Sequence, residues 1–428
     1  QKPTMIACRT TIGFGAPTKA GTAKAHGSPL GAEEIAGARK FLNWDYPPFE
    51  IPSDILDAWR EAGKRSVGER EAWEKRLAAH SRKDEFERRM AGKLPSGFDK
   101  AIIDYKKRLA ADKPNVATRK SSEMALEVIN GVVPETIGGS ADLTGSNNTK
   151  TSQTKNITAD DYGQRYMHYG IREHTMVAAM NGMALHGGVI PYGGTFLCFS
   201  DYCRPSIRLS ALMGIRNIFV MTHDSIGLGE DGPTHQPVEH LAALRAIPNH
   251  VVYRPADAVE TAECWQLVLE SPKHSSTLAL TRQPLRAVRT EHTDENLSAR
   301  GAYELAPASG KAEISIFASG SEVEIALDAR EKLEKNGRKA RVVSVPSFEL
   351  FFQQDAAYRQ KTIGDAPVRV AVEAAVRQGW DEFIGTDGKF IGMSSFGASG
   401  KIEDLYPYFG ITADHVVEAA ERALAKKS

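Results

Sequence analysis

The feature of this 428-residue sequence that most constrains its fold is an alternation of short apolar runs with helical patterns between residues 114 and 290. Six apolar runs predict strands, at residues 135–139, 165–169, 189–192, 217–222, 250–253 and 277–280. The segments between them are long enough for crossover helices. We therefore expect a parallel sheet that is covered by helices on both faces.

A second, smaller unit of the same kind follows a charged stretch. Strands are predicted at 313–318, 341–345 and 369–373, and helices at 322–335 and 413–425. The predicted fold class is therefore α/β, with two doubly wound, mainly parallel-sheet domains at 114–290 and 300–428. A helical linker is expected to precede them.

The first 113 residues predict two further segments. Residues 1–50 resemble the tail of a domain, with a buried strand at 4–9, and the chain begins with Gln1 instead of Met, so we expect an upstream part to be missing. Residues 51–113 are dense in charge and predict a charged helical linker. Both signs of charge are interleaved there, which favours a solvated face over a partner-binding surface.

Composition excludes several classes of protein. The chain is 41% hydrophobic and 25% charged, as globular proteins are, and 54 basic minus 54 acidic residues leave no net charge. Nucleic-acid binders usually carry a basic surplus, and no apolar run is long enough to span a bilayer, so we expect neither a nucleic-acid nor a membrane partner. Four cysteines without zinc or redox spacing predict a reducing compartment, and hence a cytoplasmic location.

Ligands of doubly wound sheets bind at the carboxyl ends of strands, so the loops there are the candidates for a site. The first loop, 138–147, has small residues that would let a ligand approach the backbone, and it offers Asp142 and Ser146; a plain turn explains it equally well. In the second loop, Glu173 falls in a first helical turn, where the helix dipole favours a carboxylate. Taken alone, Glu173 is more simply a helix start.

The third loop places Phe196, Phe199 and Tyr202 at spacings of three after a glycine pair. Such spacing usually marks a core stripe on a helix, and a flat apolar wall for a heteroaromatic ring is the rarer alternative.

The fourth loop, 222–238, holds two histidines and three acids within fourteen residues after an apolar strand, which is not core composition. A metal site made of His223, Asp231 and His235 is one alternative, although no established ligand spacing is present. The loop also contains the dinucleotide pattern Gly227-x-Gly229-x-x-Gly232, which makes an oxidoreductase the rival hypothesis. Two acids inside the loop would repel a pyrophosphate, and Pro233 removes an amide that should bind it.

Four motifs in this order and spacing resemble the transketolase family: Gly139-Ser-Ala-Asp-Leu, Gly170-Ile-Arg-Glu-His, Tyr192-Gly-Gly-Thr-Phe and His223-Asp-Ser-Ile-Gly-Leu-Gly-Glu-Asp-Gly-Pro-Thr-His-Gln-Pro-Val-Glu. Near the start, Gly13-Phe-Gly, Lys19-Ala-Gly-Thr and His26-Gly-Ser-Pro-Leu-Gly are similar to the end of that family's diphosphate-binding domain. The resemblance spans nearly the whole chain and outweighs the oxidoreductase hypothesis.

The resemblance implies a homodimeric enzyme that uses thiamine diphosphate and a divalent cation, Mg²⁺ or Ca²⁺. Such an enzyme moves a two-carbon ketol unit from a ketose phosphate such as xylulose 5-phosphate to ribose 5-phosphate or erythrose 4-phosphate, in the pentose phosphate pathway. Residues 114–290 would bind the pyrimidine and 300–428 would be the C-terminal domain. The family's Gly-Asp-Gly…Asn signature does not occur in the sequence. We therefore expect the diphosphate-binding domain to be mostly missing and assign no metal ligand.

The resemblance also implies roles for individual residues. Glu173 matches the acid that hydrogen-bonds the cofactor's aminopyrimidine, a role that suits a carboxyl group in apolar surroundings. Phe199 matches the ring that stacks on the pyrimidine. The other cofactor neighbours would be Phe196, Tyr202, Asp142 and Leu143.

The substrate would be bound by a separate set of residues. The terminal phosphate needs permanently charged donors. The residues that match the family's phosphate contacts are Arg119, Ser146, His223 and Arg282. Asp231 matches the carboxylate that recognises a substrate hydroxyl. His235 and His26 match histidines near the transferred carbons, able to move protons at neutral pH.

Two alternatives stay open. One is a non-catalytic or split subunit that needs a separate diphosphate-binding chain. The other is a related thiamine enzyme such as deoxyxylulose phosphate synthase, which should differ in the 223–238 loop. In either case we expect this chain alone to be inactive.

Overall fold

The computed structural model describes residues 4–426, and the chain forms two compact units that meet in sequence between Lys83 and Asp84. The first unit holds a 3-10 turn, Ala23–Ala25, and the helices α1 (Ala32–Phe41), α2 (Ser53–Lys64) and α3 (Val67–Ala78). The Glu34 carboxylate accepts hydrogen bonds from the backbone amides of Thr18 and Lys19, at 3.1 and 3.3 Å. These bonds tie the preceding loop to α1.

The predicted buried strand at 4–9 is wrong. These residues have no regular secondary structure, and both Met5 and Ile6 are exposed. The described part of the first unit contains no strand, so an extended segment there has no pairing partner.

The second unit opens with α4 (Lys83–Met90) and α5 (Phe98–Asp112). Helix α5 buries Phe98, Ile102 and Leu109 in the core, so this part of the predicted linker is not a solvated face. The charged pattern was misleading here because one apolar stripe is enough to anchor a helix. Helices α2 and α3, by contrast, bury none of their residues, as predicted.

The larger sheet has six strands in the order β3-β2-β4-β5-β7-β6, all of them parallel, which confirms the predicted doubly wound arrangement. Its elements and the short strands beside it are β1 (Val116–Ala117), α6 (Thr118–Val132), β2 (Thr136–Ser140), α7 (Thr144–Asn147), β3 (Tyr166–His168), α8 (Glu173–His186), β4 (Ile190–Phe196), α9 (Ser200–Met213), β5 (Ile218–Thr222), α10 (His240–Arg245), β6 (His250–Tyr253), α11 (Ala258–Glu270), β7 (Ser275–Leu280) and β8 (Pro284–Leu285).

Both faces of this sheet are buried, as continuous apolar strands require. In β5, Ile218 and Val220 join the core with α5, α6 and α11, whereas Phe219 and Met221 join a second core with α8 and α9. This alternation follows from the two-residue period of a strand. Because all six strands are parallel, their carboxyl ends lie at one edge of the sheet. The loops that carry the candidate residues follow that edge.

The smaller sheet has the order β13-β12-β10-β11-β9, in which only β9 is antiparallel, among the described residues. Its elements are β9 (Tyr303–Ala306), β10 (Ile314–Ala318), α12 (Glu322–Lys335), β11 (Ala340–Ser344), α13 (Phe348–Phe352), α14 (Ala356–Ile363), β12 (Val368–Glu373), α15 (Asp381–Ile384), β13 (Lys389–Gly392), α16 (Ile402–Tyr408) and α17 (Ala413–Ala425). Within residues 4–426, no helix combines the length and apolar character that crossing a bilayer would need.

A buried guanidinium joins the two sheets of the second unit. Arg254, just after β6, pairs with Asp224 at 2.8 Å and donates to the Ser319 carbonyl oxygen at 2.9 Å. It also pairs with Glu322 of α12. Removing one partner would leave an unpaired buried charge, which typically costs about 3–5 kcal/mol. Asp224 adjoins His223, so this junction lies directly behind the candidate site.

Candidate active site

Two of the candidate residues adopt the left-handed backbone conformation directly beyond strand ends. Asp142, two residues after β2, and His223, the residue after β5, both have φ of 61°. This region costs a residue other than glycine about 1–3 kcal/mol, and such strain persists only where the surroundings hold it. Strain at both positions marks the strand-end loops as a functional region.

A chain of hydrogen bonds connects the first and fourth loops. The Ser140 hydroxyl donates to the Asn147 side-chain oxygen at 2.9 Å, and the Asn147 amide donates to the Thr222 hydroxyl at 2.7 Å. Thr222 in turn lies 2.8 Å from Nδ1 of His223. These groups are buried, so the chain holds the His223 ring against the first loop.

The glycines of the first loop serve protein packing. A Cβ at Gly138 would lie 2.3 Å from the Tyr192 ring, and one at Gly139 would lie 2.4 Å from the Tyr169 ring. The sequence prediction assigned these small residues to ligand approach. The structure places neighbouring tyrosine rings against them instead.

The aromatic residues of the third loop and the histidines of the fourth form one cluster. Phe196 and Phe199 are stacked with centroids 5.6 Å apart, and Tyr202 lies 5.7 Å from Phe199. The His223 ring is 3.8 Å from Phe196, and the His235 ring is 5.4 Å from Phe199. Phe196 is buried and ends β4, Phe199 is half-buried and Tyr202 in α9 is 65% exposed, so the three rings do not form a core stripe on one helix. We call these three residues the aromatic wall.

Glu173 begins α8, and its side chain is 8% exposed. Within the described residues its carboxylate makes no hydrogen bond and no ion pair. Glu173 therefore has an unused hydrogen-bonding capacity that a ligand group could satisfy.

Two buried thiols show where the Glu173 charge acts. Burial first, and then the Glu173 carboxylate, raise the pKa of Cys203 to about 12. The pKa of Cys198 is also raised to about 12, by burial and then mainly by Asp201, with a contribution from Glu173. Because Cys198 lies between Phe196 and Phe199, Glu173 belongs to the same region as the aromatic wall.

The predicted phosphate residues converge on the other side of His223. Arg119 Nη1 donates to the Ser146 carbonyl oxygen at 2.9 Å, and Arg282 Nη1 donates to the Leu228 carbonyl oxygen at 2.8 Å. Both guanidinium groups line one cavity of about 380 Å³, together with Lys401 of the C-terminal sheet domain. The sequence prediction missed Lys401, because nothing in its local sequence shows which loop it faces.

His223 is neutral at physiological pH. Burial, followed by the positive charges of Arg119 and Arg282 and the nearby His235, lowers its pKa to about 3. Burial and Arg282 also lower the pKa of Arg119. These mutual effects place the two guanidinium groups within electrostatic reach of the His223 ring, although Arg119 belongs to α6 and the other two residues to loops. We call the cavity that both arginines line the arginine pocket; Glu230 and Glu403 also line it.

The fourth loop is irregular and does not begin a long helix. Residues Ile226–Leu228 form a 3-10 turn, and the next helix is α10, which starts at His240. A dinucleotide-binding glycine pattern would have to open a helix. The structure thus provides no support for the oxidoreductase alternative.

The fourth loop does not form the alternative metal site either. Among the described residues, the one group of three ligand-type side chains close enough to share an ion is Asp201, Glu239 and His240. His223, Asp231 and His235 are not such a group. Asp231 is exposed and His235 is half-buried.

Three candidates remain less constrained by the structure. Asp142 is exposed and Leu143 is half-buried beside it, where the Leu143 amide donates to the Ser140 hydroxyl at 3.1 Å. His26 is exposed and belongs to the first compact unit. Its relation to the other candidates stays a prediction.

Three family models match the chain. The model for "Transketolase, pyrimidine binding domain" matches residues 114–288, and that for "Transketolase-like TK C-terminal domain" matches 301–412. The model for "Transketolase, thiamine diphosphate binding domain" matches residues 1–95. The expectation that this last domain is mostly missing is therefore wrong as stated, because 95 residues match it.

Curated relatives support the same family. The transketolase of Cereibacter sphaeroides is 56% identical over 423 residues, which are 99% of this chain and 64% of that protein. The transketolase of Sinorhizobium medicae is 55% identical over 427 residues, which are 100% of this chain and 61% of that protein. The chain thus spans less than two thirds of the length of these relatives.

Solved structures agree with the sequence comparisons. Transketolase from Leishmania mexicana superposes with a TM-score of 0.87 at 39% identity, covering 97% of this chain and 61% of that one. A transketolase from Pichia stipitis in complex with sedoheptulose 7-phosphate gives 0.88 at 39% identity, covering 97% and 62%. The three family models together account for most of the 428 residues, and the chain belongs to the transketolase family.

Proposed function

We propose that this chain forms the pyrimidine side of a transketolase active site, in an enzyme that transfers a two-carbon ketol unit between sugar phosphates. The observation that carries the proposal is the Glu173 side chain, which is 8% exposed, has no hydrogen bond or ion pair within the described residues, and acts electrostatically on Cys198, between Phe196 and Phe199 of the aromatic wall. The family to which the chain belongs supports it independently.

The residues present fit the aminopyrimidine end of thiamine diphosphate. Phe199 offers a ring face, Phe196 and Tyr202 extend the wall, and Glu173 offers a carboxyl group for a ring nitrogen. When bound, thiamine diphosphate supplies the carbon centre that adds to a ketose carbonyl. Glu173 would hold a proton at its carboxyl oxygen and donate it to that ring nitrogen, and Asp142 and Leu143 would line the neighbouring wall.

The two guanidinium groups of the arginine pocket suit the phosphate of a sugar. Arg119 and Arg282 keep their charge at all relevant pH values and can each donate two parallel hydrogen bonds to phosphate oxygens. The neutral His223 ring can add a hydrogen bond but no charge, and Ser146 adds a hydroxyl. We assign xylulose 5-phosphate as donor and ribose 5-phosphate or erythrose 4-phosphate as acceptors.

Asp231 and His235 would act between these two ends. The exposed Asp231 carboxylate would accept a hydrogen bond from a sugar hydroxyl and so select its configuration. His235, beside Phe199, would exchange protons with the oxygen atoms of the transferred unit. His26 is proposed for a similar role on the strength of its motif.

A homodimer is part of the proposal. Ile171, two residues before α8, and Leu209 and Leu212 of α9 are exposed large apolar side chains. Exposed apolar groups of this density are typical of association surfaces. A second subunit packed there would cover the open side of the pyrimidine pocket.

We further propose that ligands for the diphosphate and for Mg²⁺ or Ca²⁺ come from residues other than these 428, because the Gly-Asp-Gly…Asn signature is not among them. A split-subunit arrangement is the second candidate. A solved structure titled "Split gene transketolase, inactive beta4 tetramer" superposes with a TM-score of 0.60 at 25% identity, covering 73% of this chain and 100% of that one.

The absence of basic surplus and of apolar spans supports a cytoplasmic enzyme with neither nucleic acid nor membrane as partner.

Calorimetry and an activity assay test these proposals. The purified 428-residue chain should release no heat with thiamine diphosphate and magnesium, and should transfer no ketol unit from xylulose 5-phosphate to ribose 5-phosphate. Addition of a polypeptide that carries the family's Gly-Asp-Gly…Asn signature should restore both signals. Turnover by the chain alone would refute the proposal that cofactor ligands come from other residues. If ketol transfer does not appear even after the second polypeptide is added, the assignment as a transketolase active site is refuted.

A further inference from the structure

The fourth loop is held from outside by the C-terminal sheet domain. We call residues 223–238 the histidine loop and residues 396–406 the C-terminal brace. The Gln236 amide donates to the Gly229 carbonyl oxygen at 2.9 Å within the loop, and to the Ala398 carbonyl oxygen of the brace at 3.0 Å. Gln236 is buried, so both bonds are shielded from water.

A second bond from the brace is located next to Asp231. The Ser399 hydroxyl donates to the Glu230 carbonyl oxygen at 2.8 Å. On the other side of Asp231, Gly232 has a φ of +77°, and a Cβ there would lie 2.4 Å from the Ser399 hydroxyl oxygen. The brace therefore contacts the backbone on both sides of the residue proposed to recognise the sugar.

A third contact supports the start of the loop. The Tyr406 hydroxyl donates to Glu322 at 2.8 Å and lies 3.4 Å from the Ser225 hydroxyl, which accepts the Gly227 amide. Glu322 is also a partner of Arg254, the buried junction between the two sheets. The histidine loop is thus attached to the C-terminal domain along most of its length.

Asp231 itself makes no side-chain hydrogen bond or ion pair within the described part of the chain. The position of its carboxylate consequently depends on where the backbone of the loop lies. A shift of about 1 Å in a group that orients a substrate can cost a factor of 10² in rate, so the contacts that hold this backbone matter for selectivity.

We propose that the C-terminal brace determines sugar specificity, with Ser399 and Gln236 as positioning residues that hold Asp231 where it meets the substrate. This inference rests on the proposed function and gives the C-terminal domain a direct part in the site. Loss of one bond should let the loop sample other positions. Substrate binding and epimer selection should then weaken, while the proton transfers proposed for Glu173 continue.

The first test needs no activity. Hydrogen exchange of the peptide spanning 229–238, measured by mass spectrometry on the full 428-residue chain, should speed up about 3- to 10-fold in Ser399→Ala, the loss expected for one hydrogen bond. Ser399→Thr keeps the hydroxyl and should restore protection. Ser395→Ala is the matched control, because the Ser395 hydroxyl donates only to the Phe396 carbonyl oxygen. Equal exchange in Ser399→Ala and the control would overturn the bracing role.

The second test uses the transketolase that contains this chain. In Ser399→Ala the KM for the ketose phosphate should rise about 3- to 10-fold and the preference between ketose phosphates that are epimers at one hydroxyl carbon should fall, with kcat within about twofold. Gln236→Met removes two bonds and should show a larger effect. If the parent enzyme is active and Ser399→Ala leaves its epimer ratio unchanged, the proposal is overturned. A parent without ketol transfer would refute the proposed function instead, and the exchange measurement would still decide whether the brace holds the loop.

Discussion

The rings of Phe196 and His223 lie 3.8 Å apart, although 27 positions separate them in the chain. Phe196 ends strand β4 and His223 follows the adjacent strand β5, so the parallel register of the sheet brings them together. This contact connects the aromatic wall beside Glu173 to the arginine pocket. In the proposed site, the cofactor ring and the sugar phosphate would therefore lie on opposite sides of His223.

The arginine pocket should control the pKa of His223. Arg119→Met removes the positive charge that, after burial, lowers this pKa most, so the pKa should rise from about 3. Titration of the His223 ring by NMR in selectively labelled protein measures it. Lys120→Met, on the exposed side of the same helix, is the control and should leave the pKa unchanged. An unshifted pKa in Arg119→Met would mean that the Arg119 charge does not act on His223.

The guanidinium of Arg282 should matter only for phosphorylated sugars. In Arg282→Lys the charge stays but the paired donors are lost, so kcat/KM for xylulose 5-phosphate should fall about 10- to 100-fold. Steady-state kinetics with unphosphorylated xylulose should show little change. Arg286→Lys is a matched control, since Arg286 is exposed and pairs with Asp328. Equal losses for both sugars would remove Arg282 from the phosphate site.

Asp231 should set stereochemical preference. Asp231→Ala should raise the KM for the ketose and reduce the preference between hydroxyl epimers by about 10-fold or more, because a site built to bond a hydroxyl rejects the wrong one. Competition between two epimeric donors measures the ratio directly. Glu331→Ala, which removes an exposed acid of α12, should leave the ratio as it is. If both variants behave like the parent, the Asp231 carboxylate has only a structural role.

Acid should weaken the fold through His250. Burial lowers its pKa from 6.5 to about 3, so below pH 6.5 the unfolded chain binds a proton that the folded chain does not. The contribution of His250 to the free energy of unfolding should therefore be fully present above pH 6.5. It should decline towards pH 3, by at most about 1.4 kcal/mol per pH unit. Denaturant unfolding at pH 5 and pH 8 should show a smaller difference in His250→Asn than in the parent. The same difference in both would contradict the buried neutral state.

Much of the fold follows from apolar periodicity. The six strands of the larger sheet and helix α12 were predicted within a few residues, because strands buried on both faces leave uninterrupted apolar runs. The run at 4–9 gave the same signal but has no strand to pair with in its unit. Helix α5 was mistaken for a solvated element because its charges outnumber the few residues that anchor it.

The candidate site was predictable in part. Topology alone implies that the loops after β2, β3, β4, β5 and β7 meet at one edge of the sheet, and the resemblance then predicts Glu173, His235 and Arg282 there. Contacts that depend on tertiary structure were not predictable. Ser399 lies in a segment with no distinctive sequence, and only the fold shows that it bonds beside Asp231. Arg254 likewise has no local signal for its buried partners.

The central claim is that Glu173 supplies the proton to the pyrimidine end of the site. The most direct measurement is ketol transfer from xylulose 5-phosphate to ribose 5-phosphate by the complete enzyme with Glu173→Gln, which preserves shape but removes the acid. Turnover should fall at least about 100- to 10 000-fold with the unfolding midpoint nearly unchanged, as expected for a lost general acid. Asp99→Asn, an exposed first-turn carboxylate of α5, should turn over normally. Near-parental turnover in Glu173→Gln would contradict the claim.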